Sequence, residues 1–327
     1  GEEGQVERRE GPPRGVAESG GRRGKGRAIA PGGTRFFSLT GGDSTGSKGA
    51  GMLGGGNREP VPETAWNSGK AGDDASDALV HTNAVRIGPE GDVWVLDSGS
   101  VGPGHPQVQG AARLFHYQPD TGKLIREYSL AAAVKPDSFV DDFRFNGRNV
   151  YMTDAGDGAL LALNLDSGKI RRLLQGDRSV NEQVPIRAAH HGIGDAKHVP
   201  HTVQVDQLEV SPDGAWLYYQ PLSGKMYRIA TRWLDDPALS AKDLASHVET
   251  WFNSPSTGGT AMDADGNIYL SDANNQRILK ISPQRKVTTL LSDPRLLWPD
   301  AMWLDKDGNL FTPATQTNLT PNFNFGK

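Results

Sequence analysis

Residues 85–99, VRIGPEGDVWVLDSG, contain the pattern that decides the fold. A short apolar run leads into a turn at Gly91, and a second run rich in β-branched and aromatic residues leaves it. Alternating apolar residues on both sides of a Gly-containing turn are typical of a β-hairpin. The pattern occurs six times in the 327 residues, so an internal repeat organises the chain. The other copies are AIAPGGTRFFSL at 28–39, FRFNGRNVYMTDAG at 143–156, LEVSPDGAWLYYQP at 208–221, AMDADGNIYLSDAN at 261–274 and MWLDKDGNLFTPAT at 302–315.

The spacing of the repeat indicates the architecture. Successive turn glycines lie between 42 and 67 residues apart, close to the period of a four-stranded propeller blade. Further hairpin patterns between the copies, at 112–128, 160–174 and 277–291, would supply the outer strands. A β-sandwich does not repeat one sequence six times at this period. The sequence therefore predicts an all-β fold, a six-bladed β-propeller, with another closed β ring as the alternative.

Parts of the chain fit the repeat poorly. Residues 1–27 are charged and Gly-rich with few large apolar side chains, which predicts a disordered segment before a single propeller domain over 28–327. Such a stretch can also arise when a GC-rich gene is translated out of frame. A Gly/Ser run at 41–56 leaves one convincing strand pair in the first blade, which we expect to be degenerate. No clear strands follow the sixth hairpin, so the mode of ring closure stays open.

Composition narrows the partners. A net charge of −4 and a pI near 6.1 provide no basic face, so we expect no nucleic acid partner. The chain has no cysteine, and any metal would bind through oxygen or imidazole nitrogen. No apolar run approaches the roughly 20 residues of a membrane span, so we expect no membrane-spanning segment. We also expect the protein to be a monomer.

Four longer stretches resemble the bacterial branch of the major royal jelly/yellow protein family. They are DVWVLDSG at 92–99, RFNGRNVYMTDAGDGALLALNLDSGKIRRLL at 144–174, VDQLEVSPDGAWLYYQPLSGKMYRIAT at 205–231 and LLWPDAMWLDKDGNLFTPATQ at 296–316. The likeness runs in order from about residue 78 to 325 and fails in the first blade and at the end. The resemblance implies a six-bladed propeller, an extracellular or periplasmic location, and a small amine or lipid as ligand.

The repeat register predicts a ring of polar side chains at one mouth of the central tunnel. Residues before and after each hairpin share one face of a propeller. Counting eight residues back from the turn glycines gives Asn83, Asp206, Gly258 and Asp300, and Asp141 is equivalent in the shorter third hairpin. We predict that Asn83, Asp141, Asp206 and Asp300 bind the ligand.

Several carboxylates at one mouth would repel one another unless a positive species lies between them. A hard divalent cation such as Ca²⁺, held by Asp206 and Asp300, is the simplest such occupant. The alternative is that these side chains only cap backbone turns. We expect that capping role for three aspartates at the ends of the second strands, namely Asp97, Asp154 and Asp272.

The long connection 175–205 should lie over the same mouth. It carries His190, His191, His198 and His201. Loop histidines usually bind neither metal nor substrate, but His201 is nearest to Asp206 and is the predicted ligand-binding residue among them.

Two functions fit the pattern. The first is a secreted small-molecule-binding propeller of the royal jelly/yellow type, because no nucleophile and base can be paired and the catalytic residues stay unknown. The alternative is a metal-dependent lactone hydrolase similar to the gluconolactonase/senescence marker family. Asp300 matches that family's aspartate ligand by register and Asp206 its asparagine ligand, but Lys25 stands where its glutamate ligand belongs. A protein-interaction platform without a small ligand is a third possibility.

Overall fold

The protein is described by a computed structural model. It covers residues 79–118, 120–321 and 323–327 with their side chains and, earlier in the chain, the backbone of four strands between residues 23 and 61. The predicted disorder of residues 1–27 falls mainly on residues 1–22, which lie outside the described residues, and it stays a prediction.

In the described part of the chain, the fold is dominated by five four-stranded antiparallel sheets, and within each sheet the strands pair in chain order. The first sheet comprises β1 (Arg23–Ile29), β2 (Arg35–Thr40), β3 (Ala50–Gly54) and β4 (Asn57–Val61). The second comprises β5 (Thr82–Ile87), β6 (Val93–Asp97), β7 (Arg113–Tyr117) and β8 (Leu124–Ser129). The third comprises β9 (Val140–Asn146), β10 (Asn149–Asp154), β11 (Ala159–Asn164) and β12 (Ile170–Leu173).

Two short hairpins accompany the later sheets. The first hairpin comprises β13 (Arg187–Ala188) and β14 (His191–Gly192). The fourth sheet comprises β15 (Val205–Val210), β16 (Trp216–Pro221), β17 (Met226–Ala230) and β18 (Glu249–Phe252). The fifth comprises β19 (Thr260–Met262), β20 (Ile268–Asp272), β21 (Arg277–Ile281) and β22 (Val287–Ser292). The second hairpin comprises β23 (Trp303–Leu304) and β24 (Leu310–Phe311).

The first strands of successive sheets lie side by side. β5 lies against β1, β9 against β5, β15 against β9, β19 against β15, and β23 against β19. Each sheet therefore meets the next along its first strand while its later strands extend outward. This is the arrangement of a propeller-type protein, and the prediction of an all-β fold is confirmed.

Neighbouring sheets pack through alternate side chains of the same strand. On β10, Val150 and Met152 pack toward the second sheet, whereas Tyr151 packs toward the fourth. On β16, Tyr219 packs toward the third sheet and Tyr218 toward the fifth. Successive strand residues point to opposite faces, so a run that is apolar at every position supplies two interfaces at once. These interfaces hold the first strands of successive sheets side by side.

Two sequence expectations change in detail. The prediction of a single strand pair in the first sheet is wrong, because β3 and β4 continue it through backbone pairing that Gly-rich sequence still permits. The leucine spacing over 236–246 predicts one short helix, but this connection contains two, α1 (Thr231–Asp235) and α2 (Ala241–Ser246). Pro237 disfavours helical backbone at the residue before it, and Ser240 starts α2 by accepting a hydrogen bond from the Asp243 N–H.

Candidate functional site

Three of the four predicted mouth residues, Asn83, Asp141 and Asp206, lie on β-bulges at one end of the innermost strands. Thr82 pairs with Asp97 and Ala84 with Leu96, which leaves Asn83 as an extra residue on β5. A bulge adds one residue to one strand and turns its side chain away from the regular alternation. The bulge therefore presents the Asn83 side chain to the tunnel.

Two further innermost strands, β9 and β15, carry the same kind of bulge. On β15, Asp206 is the extra residue between the pairs made by Val205 and Gln207. On β9, Asp141 and Asp142 together lie opposite a single residue of β10. Three neighbouring sheets thus carry a bulge at the same height, and each bulge bears an Asn or Asp.

A cavity of about 70 Å³ lies at this mouth, and all the residues found by counting back from the turn glycines line it. They are Asn83, Asp141, Asp206, Gly258 and Asp300. The repeat register therefore brings the predicted ring together, and their role as ligand-binding residues stays a prediction.

The carboxyl groups at the mouth are held by short hydrogen bonds. Asn83 Nδ2 donates to both the carbonyl oxygen and Oδ1 of Asp141, at 2.7 Å each. Gln207 Nε2 donates to Asp206 Oδ2 at 2.7 Å. The backbone N–H of Ala301 donates to Asp300 Oδ1 at 2.9 Å. These bonds fix the acidic side chains before any ligand arrives.

Asp206 has an unusual environment. Burial raises the pKa of Asp206 well above its usual value, and the charge of Asp141, a hydrogen bond with Asp141 and the charge of Asp300 raise it further. A hydrogen bond between two carboxyl groups needs a proton, so Asp206 and Asp141 share one. The mouth therefore concentrates negative charge that the protein itself neutralises only in part.

Asp142, the next residue, has the opposite character. Burial alone would raise its pKa, but Arg144 and Arg86 outweigh burial and lower the pKa of Asp142 to about 2. Arg86 Nε donates to Asp142 Oδ1 at 3.0 Å, and Arg144 Nη1 donates to Asp142 Oδ2 at 2.8 Å. Asp142 thus stays charged at neutral pH as a structural group and is not part of the proton-sharing pair.

These ion pairs continue as a belt across the tunnel below the mouth. Arg144 donates to both carboxylate oxygens of Glu209, at 2.8 and 3.0 Å, and the Thr260 hydroxyl donates to Glu209 at 2.8 Å. The belt joins the second, third, fourth and fifth sheets. A second cavity of about 270 Å³ lies on its far side, where Arg86 also lines it.

The sequence pattern does not single out the belt, although a spacing signal exists. Arg86, Arg144 and Glu209 each follow a mouth residue by three positions. In a regular strand, residues two apart share a face, but a bulge adds one residue to that count. A polar residue three positions after a bulged one is therefore the signal that finds the belt.

An apolar wall faces the carboxyl groups. It is formed by Ala155, Val203, Leu222, Trp298 and Phe323. The glycine at the fifth-sheet position of the ring makes room for it, because a Cβ on Gly258 would collide with the Pro299 carbonyl oxygen and lie 3.1 Å from Trp298 Nε1. The ring of polar side chains is therefore interrupted at the fifth sheet, where the counted position is a glycine.

The long connection before β15 supplies part of this wall. Ile186, Ile193 and Val203 from residues 175–205 are buried in one cluster with Trp298. His201 is half-buried and packs on Phe323, with ring centroids 4.5 Å apart. His201 is therefore one side chain removed from the described lining of the cavity, and its direct ligand contact stays a prediction.

The second-strand aspartates behave as turn caps. Asp97 accepts hydrogen bonds from the backbone N–H groups of Val80, His81 and Gly99. Asp154 accepts backbone hydrogen bonds from Gly156 and Asp157 of its own turn and from Phe139 just before β9, and Asp272 accepts one from Asn275. The capping interpretation of these three aspartates is confirmed.

The donors around the mouth bear on metal binding. Amide N–H groups of Asn83 and Gln207 point at the carboxyl oxygens that a metal would need. Across the described part of the chain, no group of three or more His, Asp or Glu side chains is arranged to hold a metal ion. The α-helices that the structure describes are five and six residues long, too short to cross a membrane.

Comparison with known proteins identifies the family. The family model for major royal jelly protein matches residues 82–320, which contain every mouth residue. The chain belongs to the major royal jelly protein family. Protein yellow from Drosophila yakuba is 24% identical over 286 residues, covering 78% of this chain and 50% of that protein. The chain thus spans about half the length of the curated relative that it matches.

Solved structures of low sequence identity share the fold. A gluconolactonase from Xanthomonas campestris superposes with a TM-score of 0.54 at 14% identity, over 90% of this chain and 84% of that one. A virginiamycin B lyase from Staphylococcus aureus superposes with a TM-score of 0.51 at 13% identity, over 89% and 78% of the two chains. At these identities, the likeness concerns the fold alone.

Proposed function

We propose that this member of the family is a secreted, monomeric, six-bladed propeller that binds a small organic cation at the acidic mouth. The ammonium group would lie on Asp141, Asp206 and Asp300, and the apolar part of the ligand against Trp298 and Phe323. Family membership supports a secreted ligand-binding protein. The five four-stranded sheets and the β23–β24 hairpin support a ring of six blades.

The convergence of carboxyl groups carries the proposal. Four aspartates and one arginine are the charged residues among the described lining of the cavity. Arg86 is already paired with Asp142, which leaves Asp141, Asp206 and Asp300 with one shared proton. A cation that replaces this proton would relieve the repulsion between the remaining carboxylates and donate hydrogen bonds to them.

The apolar wall selects among cations. A hydrated metal ion gains nothing from an aromatic surface, whereas an amine with an apolar body buries that body there. The amides aimed at the carboxyl oxygens favour the same choice, since they occupy oxygens that a full metal coordination shell would need. A cavity of about 70 Å³ admits a head group and little more.

Metal-dependent lactone hydrolysis is the alternative. The register of Asp206 and Asp300 favours it, and so does a fold shared with a gluconolactonase. Lys25 at the position of the missing glutamate opposes it, because a lysine would repel a divalent cation. The two functions differ in whether an amine or a metal stabilises the protein.

A melting experiment separates them. Tyramine should raise the Tm of the parent protein, and 4-ethylphenol, which lacks the amine, should not. Asp206→Asn and Asp300→Asn should remove the rise, while the exposed control Asp166→Asn should retain it. A rise with Ca²⁺ alone that disappears in Asp300→Asn would instead support the lactonase alternative, and equal effects of tyramine and 4-ethylphenol would reject the amine site.

A further inference from the structure

Phe323 occupies an unusual position at the mouth. Its side chain lines the cavity yet is only half-buried, so one side faces the ligand space and the other faces solvent. It packs between two aromatic rings, with centroid distances of 4.5 Å to His201 and 6.4 Å to Trp298. Phe323 is therefore the outermost part of the apolar wall.

The backbone around Phe323 is attached to the connection that covers the mouth. The N–H of Gly194 donates to the Phe323 carbonyl oxygen at 3.3 Å, and the N–H of Phe325 donates to the Gly194 carbonyl oxygen at 2.9 Å. Gly194 and Asn324 form a parallel bridge. Gly194 thus holds the backbone on both sides of Asn324, directly after the residue that lines the cavity.

The fit at Gly194 leaves no space for a side chain. A Cβ there would lie 2.7 Å from Phe325 Cδ1 and 2.7 Å from the Val199 carbonyl oxygen. The His198 ring stacks on the Phe325 ring, with centroids 5.8 Å apart. Phe325 itself has a φ of 51°, a conformation that a bulky residue keeps only when its surroundings enforce it.

We propose that Phe323 sets the size limit of the ligand and that Gly194 and Phe325 are the positioning residues that hold it over the mouth. Releasing this anchor moves Phe323 away and opens the cavity without changing the carboxyl groups. The inference about ligand size rests on the proposed amine site, whereas the inference about access to the cavity does not.

The chain has no cysteine, so one introduced thiol reports access directly. Ala155→Cys places the thiol on a wall of the cavity at a position that is 2% exposed. Labelling by a thiol reagent should be slow in this reporter and about tenfold faster when Gly194→Ala shifts a minor open state to the major one. Gly192→Ala is the matched control, because a Cβ there meets nothing within 4 Å.

Phe323→Ala provides a second route that leaves the anchor intact. It should also accelerate labelling, and it should improve the affinity for tryptamine relative to the smaller tyramine. Unchanged labelling in both Gly194→Ala and Phe323→Ala, with Tm values near that of the reporter, would overturn the inference. Faster labelling of the reporter in both variants, together with a parent protein that binds no amine, would retain the gate and reject only the amine site.

Discussion

Asp206 and Asp141 share a hydrogen bond at the tunnel mouth although they are 65 residues apart and belong to different sheets. Both residues lie on β-bulges, and both line the same cavity. Two carboxyl groups held this close, with Asp300 nearby, resist full ionisation. The pair is therefore the part of the protein most sensitive to protons and to cations.

The first prediction concerns pH. The folded-state pKa of Asp206 is raised, so the folded protein binds this proton more tightly than the unfolded chain does. The free energy of unfolding should then fall as pH rises from the ordinary carboxyl pKa of about 4 through the raised value. Asp206→Asn, which mimics the protonated acid, should remove this decline. Urea denaturation at pH 4 and pH 8 measures the change in the free energy of unfolding. An equal change in Asp206→Asn and in the parent would contradict a proton shared by Asp206 and Asp141.

The second prediction concerns the ion-pair belt. Asp142→Asn leaves the guanidinium groups of Arg86 and Arg144 without their shared carboxylate, which should lower the free energy of unfolding by about 3–5 kcal/mol. The surface pair of Arg148 and Asp166 is exposed, so Asp166→Asn should cost about 1 kcal/mol or less. Chemical denaturation of both variants decides, and equal losses would show that the belt is not structural.

The belt also has a pH signature opposite to that of Asp206. The pKa of Asp142 is lowered to about 2, so its stabilising contribution is present above the ordinary carboxyl pKa and lost as pH falls from about 4 to 2. The parent should therefore lose stability in this acidic range, and Asp142→Asn should lose less there. An equal acid-induced loss in the variant would contradict this role.

The third prediction concerns Gly258. A Cβ at this position collides with the Pro299 carbonyl oxygen and presses on the Trp298 indole, so Gly258→Ala should destabilise the protein by about 1–3 kcal/mol. It should also change the fluorescence of Trp298. Gly192→Ala, at a position with open space, should do neither. A Gly258→Ala protein with the parent's stability and emission would show that the wall does not depend on this glycine.

The fourth prediction separates capping from binding. Asp97 is fully buried and satisfies three backbone N–H groups, so Asp97→Ala should cost at least about 2 kcal/mol of stability. It should leave the affinity for tyramine unchanged, because Asp97 does not belong to the described lining of the mouth. A loss of affinity comparable to that of Asp300→Asn would place Asp97 in the site.

The sequence predicts the residues at the mouth better than it predicts the bulges and the ion-pair belt beneath them. Position relative to a turn glycine is a local quantity, so Asn83, Asp206 and Asp300 follow from counting. The bulges that re-aim these side chains depend on pairing with the next strand, which no single strand reveals. Strand alternation does not identify Arg86 as a neighbour of the mouth, because the bulge at Asn83 shifts the alternation by one residue.

Other features depend on contacts distant in sequence. The role of Phe323 requires Gly194, which lies in a separate connection more than a hundred residues earlier. In the first sheet, β3 and β4 pair through backbone groups, and their Gly-rich sequence lacks the apolar alternation that would predict strands. Sequence periodicity thus predicts strands and registers, whereas bulges, glycine contacts and the apolar wall follow from tertiary packing.

Calorimetric titration of tyramine into the parent protein and into the double variant Asp206→Asn/Asp300→Asn tests the acidic mouth most directly. The proposed site predicts one tyramine per chain in the parent and affinity weakened at least about tenfold in the double variant, because two of the three carboxyl groups that hold the ammonium are gone. Asp166→Asn should match the parent. Affinity retained in a folded double variant, or 4-ethylphenol binding as tightly as tyramine, would contradict a cation site at this mouth.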